Sequence, residues 1–185
     1  MRVIAGIAKG CRLFAPKGIK TRPTSDRVKE NLFNIISDRV EGAAILDLYA
    51  GAGSLAIEAL SRGAKASVLV EADRVAAAAI RRNLAATGLA EQAVVMQSPV
   101  SQALDRLMTG GQAFDLIFLD PPYKIEKAEL EIVMEKAAGC LNKLGLAVLE
   151  HRPDLPEIQP GGGLFPVDRR RYGDTALSFY EKRES

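Results

Sequence analysis

The sequence predicts an α/β protein: a seven-stranded, mostly parallel sheet covered by helices, an antiparallel pair at its C-terminal edge, and a small N-terminal β-hairpin and helix. Three observations carry that reading. Past residue 43, short apolar runs alternate with helical stretches, the order that builds βαβ units. The runs are apolar almost without interruption, as strands covered on both faces are. The last two runs are joined only by Tyr172-Gly173-Asp174, too short for a crossover, so they pair antiparallel.

Taken in order, Val3-Ile4-Ala5 and Arg12-Leu13-Phe14 flank Gly10 and form the hairpin. Thr24 or Ser25 caps a helix whose Val28, Leu32, Ile35 and Ile36 make one apolar face, with Arg27 and Lys29 turned outward. Residues 43–49 form the first strand and end in Ala50-Gly51-Ala52-Gly53; a helix over 54–62 follows, closed by Gly63. The next strand is 66–71, and Asp73 caps an Ala-rich helix that runs to Thr87, with Gly88 beyond it. A strand over 92–97 leads to Ser98 as N-cap and Pro99 as first helical residue of a helix ending near Met108. Residues 114–119 are the fourth strand, 125–138 the fourth helix of the alternation and 144–150 the fifth strand. After a bend rich in Pro and Gly, strands over 164–171 and 175–181 complete the sheet. Residues 1–20 read as a basic hairpin extension and 21–185 as the α/β domain.

A length of 185 residues, 48% hydrophobic and 26% charged, fits one globular domain and excludes a disordered chain. No apolar run approaches the ~18–20 residues that cross a bilayer, and charge and glycine interrupt the first residues too early for a secretory leader. Cys11 and Cys140 make neither a disulfide framework nor a zinc site, and both read as non-nucleophilic. The expectation is a cytoplasmic protein that needs no metal. Eight Lys and Arg against two acids give residues 1–30 a net charge of +6, leaving −4 on the remainder. That asymmetry suggests a polyanion at the N-terminal segment.

Two motifs carry chemistry. Asp47-Leu48-Tyr49-Ala50-Gly51-Ala52-Gly53 lies where the first strand turns into a helix; glycines there let backbone approach a ligand, and the helix start offers N–H groups. Glu71, twenty residues after Gly51, ends the next strand, where a carboxylate accepts bonds from both hydroxyls of a ribose. Gly51-x-Gly53-x-x-Ala56 with Glu71 equally fits a dinucleotide fingerprint. The second motif, Asp120-Pro121-Pro122-Tyr123, ends the fourth strand. The amine of a nucleobase is a poor nucleophile, because its lone pair is delocalised into the ring. The Asp120 carboxylate and the Pro121 carbonyl are acceptors that can draw such a nitrogen toward tetrahedral geometry and take its proton, while Tyr123 offers a face for a base. His151 reads as a turn or edge residue.

Asp47…Gly51-x-Gly53, Glu71 and Asp120-Pro121-Pro122-Tyr123, in this order, resemble a class I S-adenosylmethionine-dependent N-methyltransferase. The start Met1-Arg2-Val3-Ile4-Ala5-Gly6, the run Thr21-Arg22-Pro23-Thr24-Ser25-Asp26-Arg27-Val28 and the end from Arg171-Tyr172-Gly173-Asp174 to Phe179-Tyr180 resemble the RsmD family. These are bacterial methyltransferases acting on guanine N2 of small-subunit ribosomal RNA. The resemblance implies a Rossmann-like methyltransferase fold and S-adenosylmethionine as cofactor. It implies that Asp47, Gly51 and Gly53 line the methionine and ribose side, that Glu71 binds the ribose, and that Arg22 and Thr24 close the methionine end. It implies that Asp120 and Pro121 hold the target amine and Tyr123 stacks on the guanine. The implied partner is 16S rRNA in the small subunit or a late assembly intermediate, met by a monomeric enzyme. Ser98-Pro99 departs from the acidic or amide pair common after the third strand; the Ser98 hydroxyl is the substitute, since Pro99 has no N–H. Arg2, Lys9, Arg12 and Lys17 are the expected RNA anchors, with Arg169, Arg170 and Arg171 a second patch and Lys124 beside the chemistry.

Rival readings are an N-methyltransferase on DNA adenine or protein glutamine, a nicotinamide-dependent oxidoreductase, and a catalytically silent RNA-binding module. The chain lacks a sizeable insertion for DNA recognition, Asp120 stands where glutamine methylators have Asn, and no Tyr-x-x-x-Lys pair is recognisable. The complete Asp120-to-Tyr123 motif argues against the silent module.

Overall fold

A computed structural model describes residues 1–16 and 25–183. Its elements are α1 (Asp26–Ile35), β1 (Ala44–Leu48), α2 (Ser54–Ser61), β2 (Ala66–Glu71), α3 (Arg74–Thr87), β3 (Ala93–Gln97), α4 (Val100–Thr109), β4 (Phe114–Leu119), α5 (Lys127–Gly139), β5 (Leu141–His151), β6 (Leu164–Tyr172) and β7 (Thr175–Lys182). The sheet has seven strands in the order β3-β2-β1-β4-β5-β7-β6. β1 to β5 are mutually parallel, and β7 runs antiparallel between β5 and β6. The expected architecture is the observed one. The chain leaves β1 for β2 on one side and later returns to β4 on the other, so the strand order reverses at β1/β4, where α/β sheets open a crevice.

Two apolar layers hold the helices to the sheet. Alternate strand residues Ile45, Leu69, Leu116, Phe118, Val148 and Leu177 pack with α1, α2, α3 and the N-terminal segment. Leu46, Val70, Ile117, Leu119 and Leu149, facing the other way, pack with α4 and α5. Every residue of α2 is buried, because this helix lies between the sheet and the N-terminal segment. No helix among the described residues is long and apolar enough to cross a membrane.

Several local expectations change. The N-terminal hairpin is a single bridge between Arg2 and Arg12, tied by Val3 N–H to the Cys11 carbonyl (3.0 Å) and Gly10 N–H to the Val3 carbonyl (2.9 Å). Pro99, not Ser98, is the N-cap of α4: its ψ of 141° is extended, so the helix begins one residue later. β5 starts at Leu141, earlier than its apolar run, and crosses an irregular register beside Phe114. α5 begins at Lys127, not residue 125. Ile35 is exposed and Phe33 takes its place in the core.

The largest correction is Lys29, which points inward and is fully buried. Its Nζ lies 3.2 Å from Glu58 Oε2 on α2 and donates to Ser54 Oγ (3.0 Å) and the Arg2 carbonyl (2.6 Å). Glu58 in turn accepts from Ile4 N–H, Ala5 N–H and Arg62 Nε at 2.8–3.0 Å. A desolvated charge is tolerated only with such a full set of partners. Lys29→Ala takes the buried ammonium from Glu58, leaves the Arg2 carbonyl without that donor and opens a cavity, and is expected to lower stability by about 3 kcal/mol. Urea unfolding measures it; a loss below ~1 kcal/mol would show that the pair is dispensable.

Candidate active site

Register alone assembles the carboxyl edge of the sheet. Leu48 pairs with Val70 and Leu119, and Leu119 with Leu149, so Glu71, Tyr49, Asp120 and Glu150 lie at one level at the carboxyl ends of four adjacent strands. With strands ~4.8 Å apart, Glu71 and Asp120 stand on either side of β1 at about 10 Å. The glycine loop, residues 49–53, lies between them.

Left-handed backbone shapes that loop. Tyr49 (φ 62°), Gly51 (56°) and Gly53 (79°) all have positive φ, and for Tyr49 this is a strained conformation of the kind found at functional sites. A Cβ on Gly53 would lie 3.1 Å from Leu69, 3.3 Å from Ile57 and 3.4 Å from Ile80, so only glycine lets the loop settle on the core. Glu71 fixes the loop: one carboxylate oxygen accepts Gly51 N–H and the other Asp73 N–H, both at 2.8 Å. Beneath, Asp47 is buried and accepts Ala56 N–H at 3.2 Å. Burial pushes the Asp47 carboxyl up to about 7, against the pull of the Ala56 bond; the nearby Glu71 charge adds to the rise.

Asp120 is half-buried, and its N–H is 3.4 Å from the Leu48 carbonyl. Desolvation raises its carboxyl well above the usual range, reinforced by the charges of Glu150 and Asp47. Pro121 is buried while Tyr123 is 40% exposed, an open aromatic face three residues from the carboxylate. Lys124, next in the chain, is exposed. Ser98 follows β3, its N–H bonded to the Glu71 carbonyl (3.1 Å) and its hydroxyl to the Pro99 carbonyl (3.3 Å). Among the described residues, no group of three or more His, Cys, Asp or Glu side chains is placed to hold a metal.

The basic residues fall in two places. Arg2, Lys9 and Arg12 are exposed on the N-terminal segment, with Arg2 3.4 Å from Asp26. Arg170 and Arg171 pair with Leu177 and Ala176, which pair with Glu150 and His151, so the second patch shares the edge with Asp120. Arg169 there donates to the Pro153 and Leu155 carbonyls, Arg170 to Asp168 and Arg171 to the Gly173 carbonyl. Lys17, Arg22 and Thr24 lie outside the described residues.

His151 is buried rather than at an open edge, 2.8 Å from Ser178 Oγ and 2.7 Å from the Arg152 carbonyl, and burial lowers its pKa. Cys140 is buried and Cys11 half-buried. Sequence reasoning missed three residues: Glu58, Asn83 and Glu150. Glu58 carried a signal, as the one acid in the apolar run 55–60. Asn83 carried a fainter one, lying four and three residues beyond the core positions Ala79 and Ile80 of α3 and so on their face.

A family model described as conserved hypothetical protein 95 matches residues 1–181. The ribosomal RNA small subunit methyltransferase D of Escherichia coli K12 is 37% identical over 184 residues, 98% of this chain and 90% of that one. The hypothetical protein TTHA0928 of Thermus thermophilus superposes with a TM-score of 0.84 at 32% identity, covering 97% of this chain and 98% of that one. The fold is shared more widely: SMU.776, solved in complex with SAH, gives a TM-score of 0.70 at 13% identity over 84% of this chain and 48% of that one. By the near-complete span of the family match and of its relatives, the chain belongs to the RsmD family, that of the small-subunit ribosomal RNA methyltransferases D.

Proposed function

We propose that the chain transfers a methyl group from S-adenosylmethionine to the exocyclic N2 of a guanine in small-subunit ribosomal RNA. Its substrate is the small subunit or a late assembly intermediate, and it acts as a monomer in the cytoplasm. The observation that carries this reading is the pairing of Glu71 and Asp120 across one glycine loop at the reversal point of the sheet.

The residues fit the cofactor. Each Glu71 oxygen takes one backbone N–H and keeps a lone pair for a ribose hydroxyl. Gly51 and Gly53 present bare backbone, and the buried Asp47 carboxylate serves the methionine end; the family resemblance assigns Arg22 and Thr24, outside the described residues, to that same end. The Ser98 hydroxyl is turned to its own chain and Pro99 has no N–H, so adenine is held there by packing. When bound, S-adenosylmethionine supplies a methyl group on a positively charged sulfur. Asp120 and the Pro121 carbonyl accept from the target amine, Asp120 takes the proton that leaves it, and Tyr123 stacks on the base. Arg2, Lys9, Arg12 and Lys17 hold RNA phosphates, with Arg169, Arg170, Arg171 and Lys124 around the pocket.

Glu71→Ala is expected to weaken S-adenosylhomocysteine binding about a hundred-fold, from the loss of two charge-assisted bonds. Titration calorimetry reads it, and unchanged affinity would remove Glu71 from the cofactor site. The whole reading is tested by mass-spectrometric mapping of ribosomal RNA from a deletion strain, together with transfer to its small subunits in vitro. One N2-methylguanine should disappear in vivo and be restored by the protein. Methyl on adenine or on a protein glutamine would overturn it.

A further inference from the structure

Asn83 is buried in the middle of α3, on the side away from solvent, and the proposed chemistry gives it no role. Its Oδ1 accepts Phe14 N–H at 2.8 Å, and its Nδ2 donates to the Phe14 carbonyl and to the Ala52 carbonyl, both at 2.9 Å. All three partners are backbone groups of fixed polarity, so the amide has one orientation and three bonds in it. Phe14 belongs to the N-terminal segment that bears Arg2, Lys9 and Arg12, and its ring lies under the Arg82 guanidinium at 4.3 Å. Ala52 sits between the two glycines of the loop. The loop's Gly51 N–H is the group held by Glu71, so Asn83 and Glu71 grip the same short loop at neighbouring residues, and the backbone of Gly51 and Ala52 joins the Phe14–Asn83 bonds to the Glu71 bond. Lys29 makes a second tie from the same segment, from the Arg2 carbonyl to Ser54, the first residue of α2 after the loop.

We propose that Asn83 is a positioning residue that couples the glycine loop to the basic N-terminal segment, so that cofactor and RNA reinforce each other's binding. The proposal rests on the cofactor and RNA sites given above. A ligand that fixes the Ala52 peptide fixes one end of the Asn83 amide, and the ordering is shared with Phe14 at the other. By linkage, RNA held on the segment favours the cofactor by the same factor. A short side chain at position 83 serves the loop or the segment, not both.

Amide hydrogen exchange tests the coupling without RNA. Saturating S-adenosylhomocysteine should slow exchange at Val3, Gly10 and Leu13, whose bonds lie within the segment, by about five-fold or more in the wild-type protein. In Asn83→Ala that effect should fall below two-fold, while protection of the loop by the same ligand persists. Asn83→Ser decides should the Ala variant not fold. Equal slowing in wild type and variant, or no slowing in wild type, overturns the coupling, as would a variant that only loosens the segment equally with and without ligand. Failure of S-adenosylhomocysteine to bind the wild-type protein in calorimetry is a separate outcome: it overturns the cofactor reading, and the coupling with it. With unmethylated small subunits, the ligand should tighten wild-type binding by about five-fold or more and leave Asn83→Ser within two-fold.

Discussion

Asp120→Ala is expected to lower methyl transfer by about 10³-fold or more, while S-adenosylhomocysteine binds within two-fold of wild type. In the proposed reaction the carboxylate is the acceptor that the Pro121 carbonyl cannot replace, because a carbonyl can align an amine but cannot carry its proton away. Cofactor affinity is spared because Asp120 lies across β1 from Glu71, about 10 Å away by strand spacing. The pH profile gives a second check. Burial, then the charges of Glu150 and Asp47, hold the Asp120 carboxyl protonated at pH values where an exposed Asp is already ionised. Single-turnover transfer should therefore rise with pH as that group loses its proton, and Asp120→Asn should leave only a low, flat rate. Turnover retained by the Ala variant would take Asp120 out of the chemistry.

Much of this edge was legible in sequence, because the strands that build it are short and unambiguously apolar. β2 and β4 fall on their expected bounds, and α3 has its Asp73 cap and Gly88 stop where side-chain chemistry puts them. With those bounds fixed, parallel register is enough to bring Glu71 and Asp120 level. What escaped depended on partners distant in the chain. Lys29 reads as a surface charge until Glu58 and Ser54 are seen around it. Asn83 shares the core face of an Ala-rich helix, but its role shows only when Phe14 and Ala52 meet it from two other segments. Other errors were local. Proline suits both the first helical residue and the cap before it, and at residue 99 the extended ψ decides for the cap. Polar Asn142 and Lys143 hid the start of β5, whose Leu144 takes a positive φ (62°) that no apolar pattern foretells.

Asp47→Asn should make the protein more stable than wild type at pH 8, by roughly 4 kcal/mol at most, and leave it nearly unchanged at pH 4. The sign follows from the direction of the shift. Burial raises the folded carboxyl from 3.8 to about 7, so between those values the native state binds a proton that the unfolded chain has released. Wild-type stability then falls as pH climbs through that window, and above it the full cost of a buried charge remains. Asn keeps the oxygen that accepts Ala56 N–H but carries no charge. Its amide brings two donors into the same buried space, which reduces the gain. Urea unfolding of both proteins from pH 4 to 8 measures the difference; parallel pH curves would show that Asp47 is not the group responsible. The same charge explains why an acid is useful here. In the proposed cofactor site a cationic amino group at the methionine end repays the cost of ionising Asp47, so S-adenosylhomocysteine should bind more tightly as pH rises toward 7, and Asp47→Asn should flatten that dependence while weakening binding throughout.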